Sequence, residues 1–277
     1  LFFIDKNYVD ASAFTIAHKV DQPFERTMAD EQILKDTTYY RVFEVNGNLN
    51  SARASHFHKS IGGYHAAKPQ KIQQLFDYQI AKNNIGILNM LNVKYVIQDK
   101  EDGQNVPVYN PDANGPAWFV SKVKTVSSSD EEMKALDKLD TKREAVVNKT
   151  KFPEAGSKTT FVTDSTANIK LISYEPNHLK YIANNSNNGL AVFSEMYYAN
   201  GWNAYIDGKP APHFEADYAL RAMHIPAGRH TIEFKFEPTV IKTGGTIALI
   251  SGLLMLVLIA AGIYFEKKRS GQQKVAA

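Results

Sequence analysis

From Thr243 to Phe265 the chain carries no Asp, Glu, Lys or Arg, and Ile, Leu, Val, Ala and Gly dominate. A helix of about 20 apolar residues spans the roughly 30 Å hydrocarbon core of a bilayer. A soluble helix of that length rarely lacks a polar face. Residues 243–265 are therefore expected to form one transmembrane helix, with the lipid bilayer as the first partner of the chain. Glu266, Lys267, Lys268 and Arg269 follow at once, and basic residues beside a spanning helix tend to stay in the cytoplasm. The expectation is a cytoplasmic tail at 266–277 and everything before the helix, residues 1–242, on the outer side. Gly244, Ala248 and Gly252 lie four residues apart on one helix face. Small residues at that spacing let another membrane helix approach closely, although Gly and Ala are common in membrane helices generally.

The 277 residues leave room for one to three domains. The opening Leu1-Phe2-Phe3-Ile4-Asp5 has no basic n-region and is too short for a signal peptide. The chain thus reads as the C-terminal part of a longer protein, with upstream transmembrane helices as further partners. A net charge of only +3 argues against a nucleic-acid binder. No Cys is present, so disulfide staples and thiolate chemistry are excluded and the outer part must be held by ordinary cores.

The first half alternates strand and helix patterns, which suggests a mixed α/β domain over 1–110. Strands are expected at Phe2–Ile4, Tyr39–Val45 and Val93–Ile97, and helices at Ala29–Asp36, Pro69–Lys82 and Ile85–Leu91. The polar stretch Ser51–Lys68 holds three His with embedded aromatics and reads as a functional loop. Pro107–Pro116 reads as a loop or boundary. A strand–helix–strand extension over 111–153 starts at Trp118 and runs on to Val126. Ser129 and Glu132 are its expected capping box, and Ala145–Val147 its last strand. After Pro153 helical spacing disappears. Seven short β-rich runs follow: Thr159–Thr163, Asn168–Tyr174, His178–Ala183, Leu190–Tyr198, Trp202–Ile206, Leu220–Ile225 and Thr231–Phe236. Asp207-Gly208 is a strong hairpin signal. The spacing predicts an antiparallel β-sandwich over 154–238. The fold class is α+β: a mixed α/β extracytoplasmic domain, then a β-sandwich, then one C-terminal transmembrane helix.

Several blocks together resemble a known family. Gly201-Trp202-Asn203-Ala204-Tyr205-Ile206-Asp207-Gly208-Lys209-Pro210, Ala216-Asp217-Tyr218-Ala219-Leu220-Arg221-Ala222 and Pro226-Ala227-Gly228-Arg229-His230 are similar to the C-terminal signature of the YfhO family of bacterial membrane proteins. His56-Phe57-His58-Lys59-Ser60-Ile61-Gly62-Gly63-Tyr64-His65 and Asn89-Met90-Leu91-Asn92-Val93-Lys94-Tyr95-Val96-Ile97 agree, and the blocks look most like the Bacteroidetes branch. The resemblance implies a multi-spanning protein of the GT-C glycosyltransferase type, in the bacterial inner membrane. Such proteins transfer sugar from a lipid-phosphate donor to cell-surface polymers. It also implies that the catalytic carboxylate lies in an early extracytoplasmic loop, before these residues. No catalytic residue is carried over, and no cofactor is expected here, although a divalent metal is compatible with the full-length protein. The implied partners are a polyprenyl-phosphate-linked sugar or a surface glycan, and not nucleic acid.

Candidate sites follow from the residues themselves. Arg53, His58, Lys59 and Lys68 could aim cationic donors at a lipid phosphate or sugar, with Tyr64 and His65 beside them; the competing reading is a solvated basic loop. His56, His58 and His65 could together hold a metal, but polar loop packing is favoured. Trp202, Tyr205 and Tyr218 could stack on sugar rings; the favoured alternative anchors Trp202 in the sandwich core. Glu215 and Asp217 suggest paired carboxylates for hydrolysis, with nothing around them to support a cleft. Three functions compete: the C-terminal region of a membrane glycosyltransferase, a non-catalytic carbohydrate-binding or assembly module, and a tail-anchored structural protein.

Overall fold

The computed structural model describes residues 14, 20–64, 67–101, 103–162 and 166–275, with side chains as far as residue 266. The strand expected at Phe2–Ile4 lies outside them. The first layer is a three-stranded sheet of order β1-β2-β3, with β1 (Arg41–Glu44) parallel to β2 (Val93–Asp99) and β2 antiparallel to β3 (Asn105–Tyr109). Pro107 makes this region look like a loop in sequence, but β3 is an edge strand, where a missing N–H costs no ladder bond. Helix α1 (Met28–Ile33) begins with a capping box in which the Asp30 carboxylate accepts from Thr27 N at 2.7 Å. The polar stretch after β1 is not all loop: Ser51 caps a short helix, α2 (Ala52–Phe57). Helices α3 (Gln70–Tyr78) and α4 (Ile85–Met90) stand where the apolar spacing puts them.

The strand starting at Trp118 does not run to Val126. It breaks at Ser121 into β4 (Ala117–Val120), which joins the sandwich, and β5 (Lys122–Val126), which pairs in parallel with β6 (Glu144–Asn148). Two different partners, β9 and β6, draw the halves apart. Between β5 and β6, α5 (Ser129–Ala135) is capped by Ser128 and not Ser129, with Glu131 N donating to the Ser128 hydroxyl at 3.2 Å. Glu132 closes no capping box and is buried instead.

The sandwich strands are β7 (Asn168–Glu175), β8 (His178–Asn185), β9 (Gly189–Met196), β10 (Trp202–Ile206), β11 (Lys209–Ala211), β12 (Phe214–Ala216), β13 (Leu220–Ile225) and β14 (Gly228–Phe236). They form a five-stranded antiparallel sheet, β11-β10-β14-β8-β7, facing a four-stranded one, β12-β13-β9-β4. Asp207 and Gly208 both have positive φ, 51° and 77°, in the two-residue turn between β10 and β11. Of the run expected at Thr159–Thr163, the described residues form only a single bridge, Thr160 to Lys122. Tyr181, Phe193 and Phe234 meet edge to face in the core between the sheets, with Phe193 and Phe234 centroids 4.9 Å apart. Each such fully buried ring stabilises by about 1.5–3 kcal/mol.

The other face of the four-stranded sheet is also buried. Trp118, Leu190, Val192 and Leu220 pack there with Leu75, Met90, Leu136 and Val146 from the helical side. β9 is thus covered on both faces, which explains its unbroken apolar run Leu190-Ala191-Val192-Phe193. Last comes α6 (Thr239–Val275), whose stretch Thr239–Glu266 is long and apolar enough to cross a membrane and is not buried by the rest of the chain.

Candidate functional site

The basic stretch after β1 divides into residues spent on the fold and residues left facing outward. Arg53 donates to Glu44 Oε1 at 2.7 Å, to Thr27 Oγ1 at 3.0 Å and to the Asp30 carboxylate. His58 is buried and donates from Nε2 to Asp30 Oδ1 at 2.9 Å. Burial alone would raise the Asp30 pKa, but hydrogen bonds from Thr27 and His58 and the Arg53 charge hold it below the usual carboxylate value. Arg53 and His58 therefore tie α2 to α1. No acid lies beside them in sequence; their partners come from residues 30 and 44. His56 sits on exposed helix surface against Phe24 and Phe57 rather than beside His58. His65 lies outside the described residues, and Tyr64 is 84% exposed. Among the described residues no group of three His, Cys, Asp or Glu could hold a metal ion.

Lys59 and Lys68 have a different setting. The loop between them is stitched to β1, with Val42 N donating to Lys59 O at 2.8 Å and Ile61 N to Val42 O at 3.2 Å. It also packs so closely on the preceding turn that a Cβ at Gly62 would fall 2.9 Å from both Asn48 O and Leu49 Cα. A cavity of about 190 Å³ remains between this loop and β9, lined by Arg41, Ser60, Gly62, Lys68, Ser194 and Met196 among others. Lys68 reaches only the neutral oxygens of Asn50, at 2.7 Å, and Gln73, at 3.4 Å. Next to the cavity, the Lys59 ammonium stands 4.2 Å from the Tyr39 ring centre and 4.1 Å from that of Tyr174. Burial lowers its pKa, helped by the Arg41 charge and opposed by Glu195.

Beneath Lys59, Arg41 and Tyr39 share one carboxylate oxygen of Glu195, at 2.8 and 2.9 Å. Burial would lower the Arg41 pKa, but the Glu195 charge raises it, so the guanidinium stays charged. Arg41 and Lys59 both feel the Glu195 charge, Lys68 lines the same cavity as Arg41, and Tyr39 and Tyr174 frame the Lys59 ammonium. Such a niche can accept an anion through charge-assisted hydrogen bonds and offer ring faces beside it. Sequence reasoning missed Arg41, Tyr39, Tyr174 and Glu195, because β1, β7 and β9 come together only in the folded chain.

The sandwich residues are not a stacking platform. Trp202 lies under the Arg221 guanidinium, 4.0 Å from the ring centre, and beside Phe236. Tyr205 is three residues on, which in a strand is the opposite face, and its hydroxyl donates to Glu237 at 2.8 Å. Tyr218 is buried, with its hydroxyl donating to Gln74 at 2.7 Å. Asp207 carries its turn: Thr231 N donates to it at 2.8 Å and His230 Nδ1 lies 2.6 Å away.

A further carboxyl group, Glu132, joins the Glu215–Asp217 region. Tyr218 N donates to Glu132 Oε1 at 3.0 Å, and Val146 N to Asp217 Oδ1 at 2.7 Å, while the second oxygen of each acid has no partner. Burial, which dominates, pushes both pKa values up to about 7, helped at Glu132 by the Glu215 charge and at Asp217 by the Glu132 charge. Glu215 differs, since Lys71 pairs with it and Lys151 lies 3.6 Å away. No lysine pairs with Glu132 or Asp217, and they hold the β12–β13 turn, where Asp217 and Tyr218 have φ of 50° and 73°.

Comparison with known proteins ties these elements to a lineage. No curated protein and no solved structure matches the chain. Residues 145–248, from β6 through the sandwich into α6, match the family described as bacterial membrane protein YfhO. Over that stretch, which is under half of the chain, the protein is similar to the YfhO family of bacterial membrane proteins, and the apolar helix α6 begins within it.

Proposed function

We propose that the chain is the extracytoplasmic region and final spanning helix of a GT-C-type glycosyltransferase, and that its cationic niche holds the phosphate of a lipid-linked sugar or an anionic surface glycan. The inner membrane is its proposed site, with the sandwich outside and the Lys267-Lys268-Arg269 end of α6 in the cytoplasm. One observation supports the reading: among the described residues neither Lys59 nor Lys68 forms an ion pair with a carboxylate, Lys68 and Arg41 line a built cavity, and Lys59 stands over two tyrosine rings. An anion there gains charge-assisted hydrogen bonds that water screens less than on open surface. The proposed domain division is the one expected from sequence, an α/β unit over 1–110 with its extension to 153 and a sandwich over 154–238, with β4 of the extension paired into the sandwich.

The test is binding of a polyprenyl-phosphate-linked sugar by the intact protein in nanodiscs. Losing two charged donors is expected to raise Kd about tenfold or more in the Lys59→Ala/Lys68→Ala variant. An unchanged Kd would overturn the niche as the anion site. If binding weakens while the wild-type protein transfers no sugar, the chain serves as a carbohydrate-binding or assembly module instead.

A further inference from the structure

We propose a second ligand site, on the opposite kind of surface: an open groove of the sandwich that takes a short stretch of neutral glycan. The groove has a volume of about 660 Å³ and lies where β13 ends beside the turn into β9 and the segment before β7. That volume falls within the range of small-molecule sites. Its floor is aromatic. The exposed His224 ring is flanked by Phe161, with centroids 5.8 Å apart, and by Phe214, at 5.5 Å. Phe161 and Phe214 are buried, with their rings tilted by 38° and 46° to the His224 plane, so they back the exposed His224 ring from below.

The rim is polar. Lys158 stands 5.0 Å over the Phe161 ring and Glu154 lines the same groove; neither has an ion-pair partner among the described residues. Asn188 lies beside them, its Oδ1 accepting from Ala227 N at 2.9 Å and its amide nitrogen left for a ligand. Burial and the Lys158 charge lower the His224 pKa, so the imidazole is neutral at neutral pH and offers both a ring face and a nitrogen acceptor.

Charge decides the class of occupant. The lysine and the glutamate on the rim cancel, and the imidazole is neutral, so the groove has no excess cation to hold a phosphate. A hydrocarbon chain would leave the unpaired Lys158 and Glu154 desolvated against it. A sugar unit satisfies both halves: its C–H face lies on the exposed His224 ring, and its hydroxyls donate to Glu154 and accept from Lys158 and Asn188. The glycan as occupant rests on the glycan-handling reading of the niche. The two sites would then divide the work, one for charge and one for the uncharged part of the polymer.

Saturation-transfer NMR on the intact chain in nanodiscs tests this, with neutral gluco-, galacto- and manno-oligosaccharides of two to four units as probes. The proposal requires transfer to at least one of them. Affinity should fall about tenfold in His224→Ala, as expected for losing one ring contact, fall also in Glu154→Ala, and hold in Lys138→Ala, which removes an exposed charge outside both sites. His224 and Glu154 are both exposed, so neither substitution empties a core. No transfer in the wild type, or full affinity in both groove variants, overturns the groove. Loss of phosphate-linked sugar binding in the niche variant with no oligosaccharide binding here would sink this site and leave the other standing.

Discussion

Glu132 and Asp217 are carboxyl groups that the fold stabilises in their protonated form. Both are raised to about 7, mainly by burial, from an unfolded value near 4. The folded state therefore binds more protons than the unfolded state. The stability they contribute is complete below about pH 4, declines as pH rises, and is lost above about pH 7. Between pH 5 and pH 8 this amounts to roughly 2 kcal/mol per carboxyl. Glu132→Gln and Asp217→Asn are each expected to shrink the difference in urea midpoint between those two pH values, followed by tryptophan fluorescence. An unaltered difference in both variants would mean that neither acid is protonated in the fold. The same scale explains why a basic loop misleads: Arg53 and His58 look like ligand donors until Asp30 and Glu44 arrive from other elements.

At the scale of elements, the loop from Lys59 to Lys68 is held by close contact, and Gly62 is where the contact is tightest. A methyl group there meets backbone atoms at 2.9 Å, and backbone cannot rotate away as a side chain can. Gly62→Ala is expected to cost about 1–3 kcal/mol and to weaken phosphate-linked sugar binding along with it, because Lys68 moves with the loop. Thermal unfolding and the nanodisc binding assay check the two halves; binding that survives the stability loss would separate the loop from the niche. Most elements were legible before the fold was known. Period-two runs gave β7 to β10, β13 and β14, and the Asp207-Gly208 pair gave its hairpin, because alternation and turn chemistry are local properties. The break at Ser121 was not legible, since two strands in different sheets share one apolar run there. Nor was β3, hidden by Pro107. Of the candidate site, Lys59 and Lys68 were visible as cationic donors alongside Arg53 and His58, whereas Glu195 and the flanking tyrosines depend on contacts between β1, β7 and β9.

For the whole molecule, α6 adds an address and no core. Its apolar side chains from Val240 to Phe265 are exposed in the chain, so the body above it rests on its own packing. In the 277-residue chain expressed alone, replacing Leu254 and Leu258 by Arg is expected to cost about 3 kcal/mol of insertion for each charge and to release protein from membranes washed in alkaline carbonate. The tryptophan emission of the body should stay as it was. Retention after the wash would show that something other than this helix holds the protein to the bilayer. The sandwich, in contrast, is not a separate bead on the chain. Its β9 is flanked by β13 on one side and by β4 on the other, and β4 belongs to an earlier part of the sequence. During synthesis the apolar segment Ala117–Val120 emerges first and waits, unpaired, while β5 to β8 follow. Until residues 189–196 appear it has no sheet to join. Completion of this structure is therefore gated by the order in which its strands are delivered, and the interval between β4 and β9 is when the nascent chain is most in need of protection.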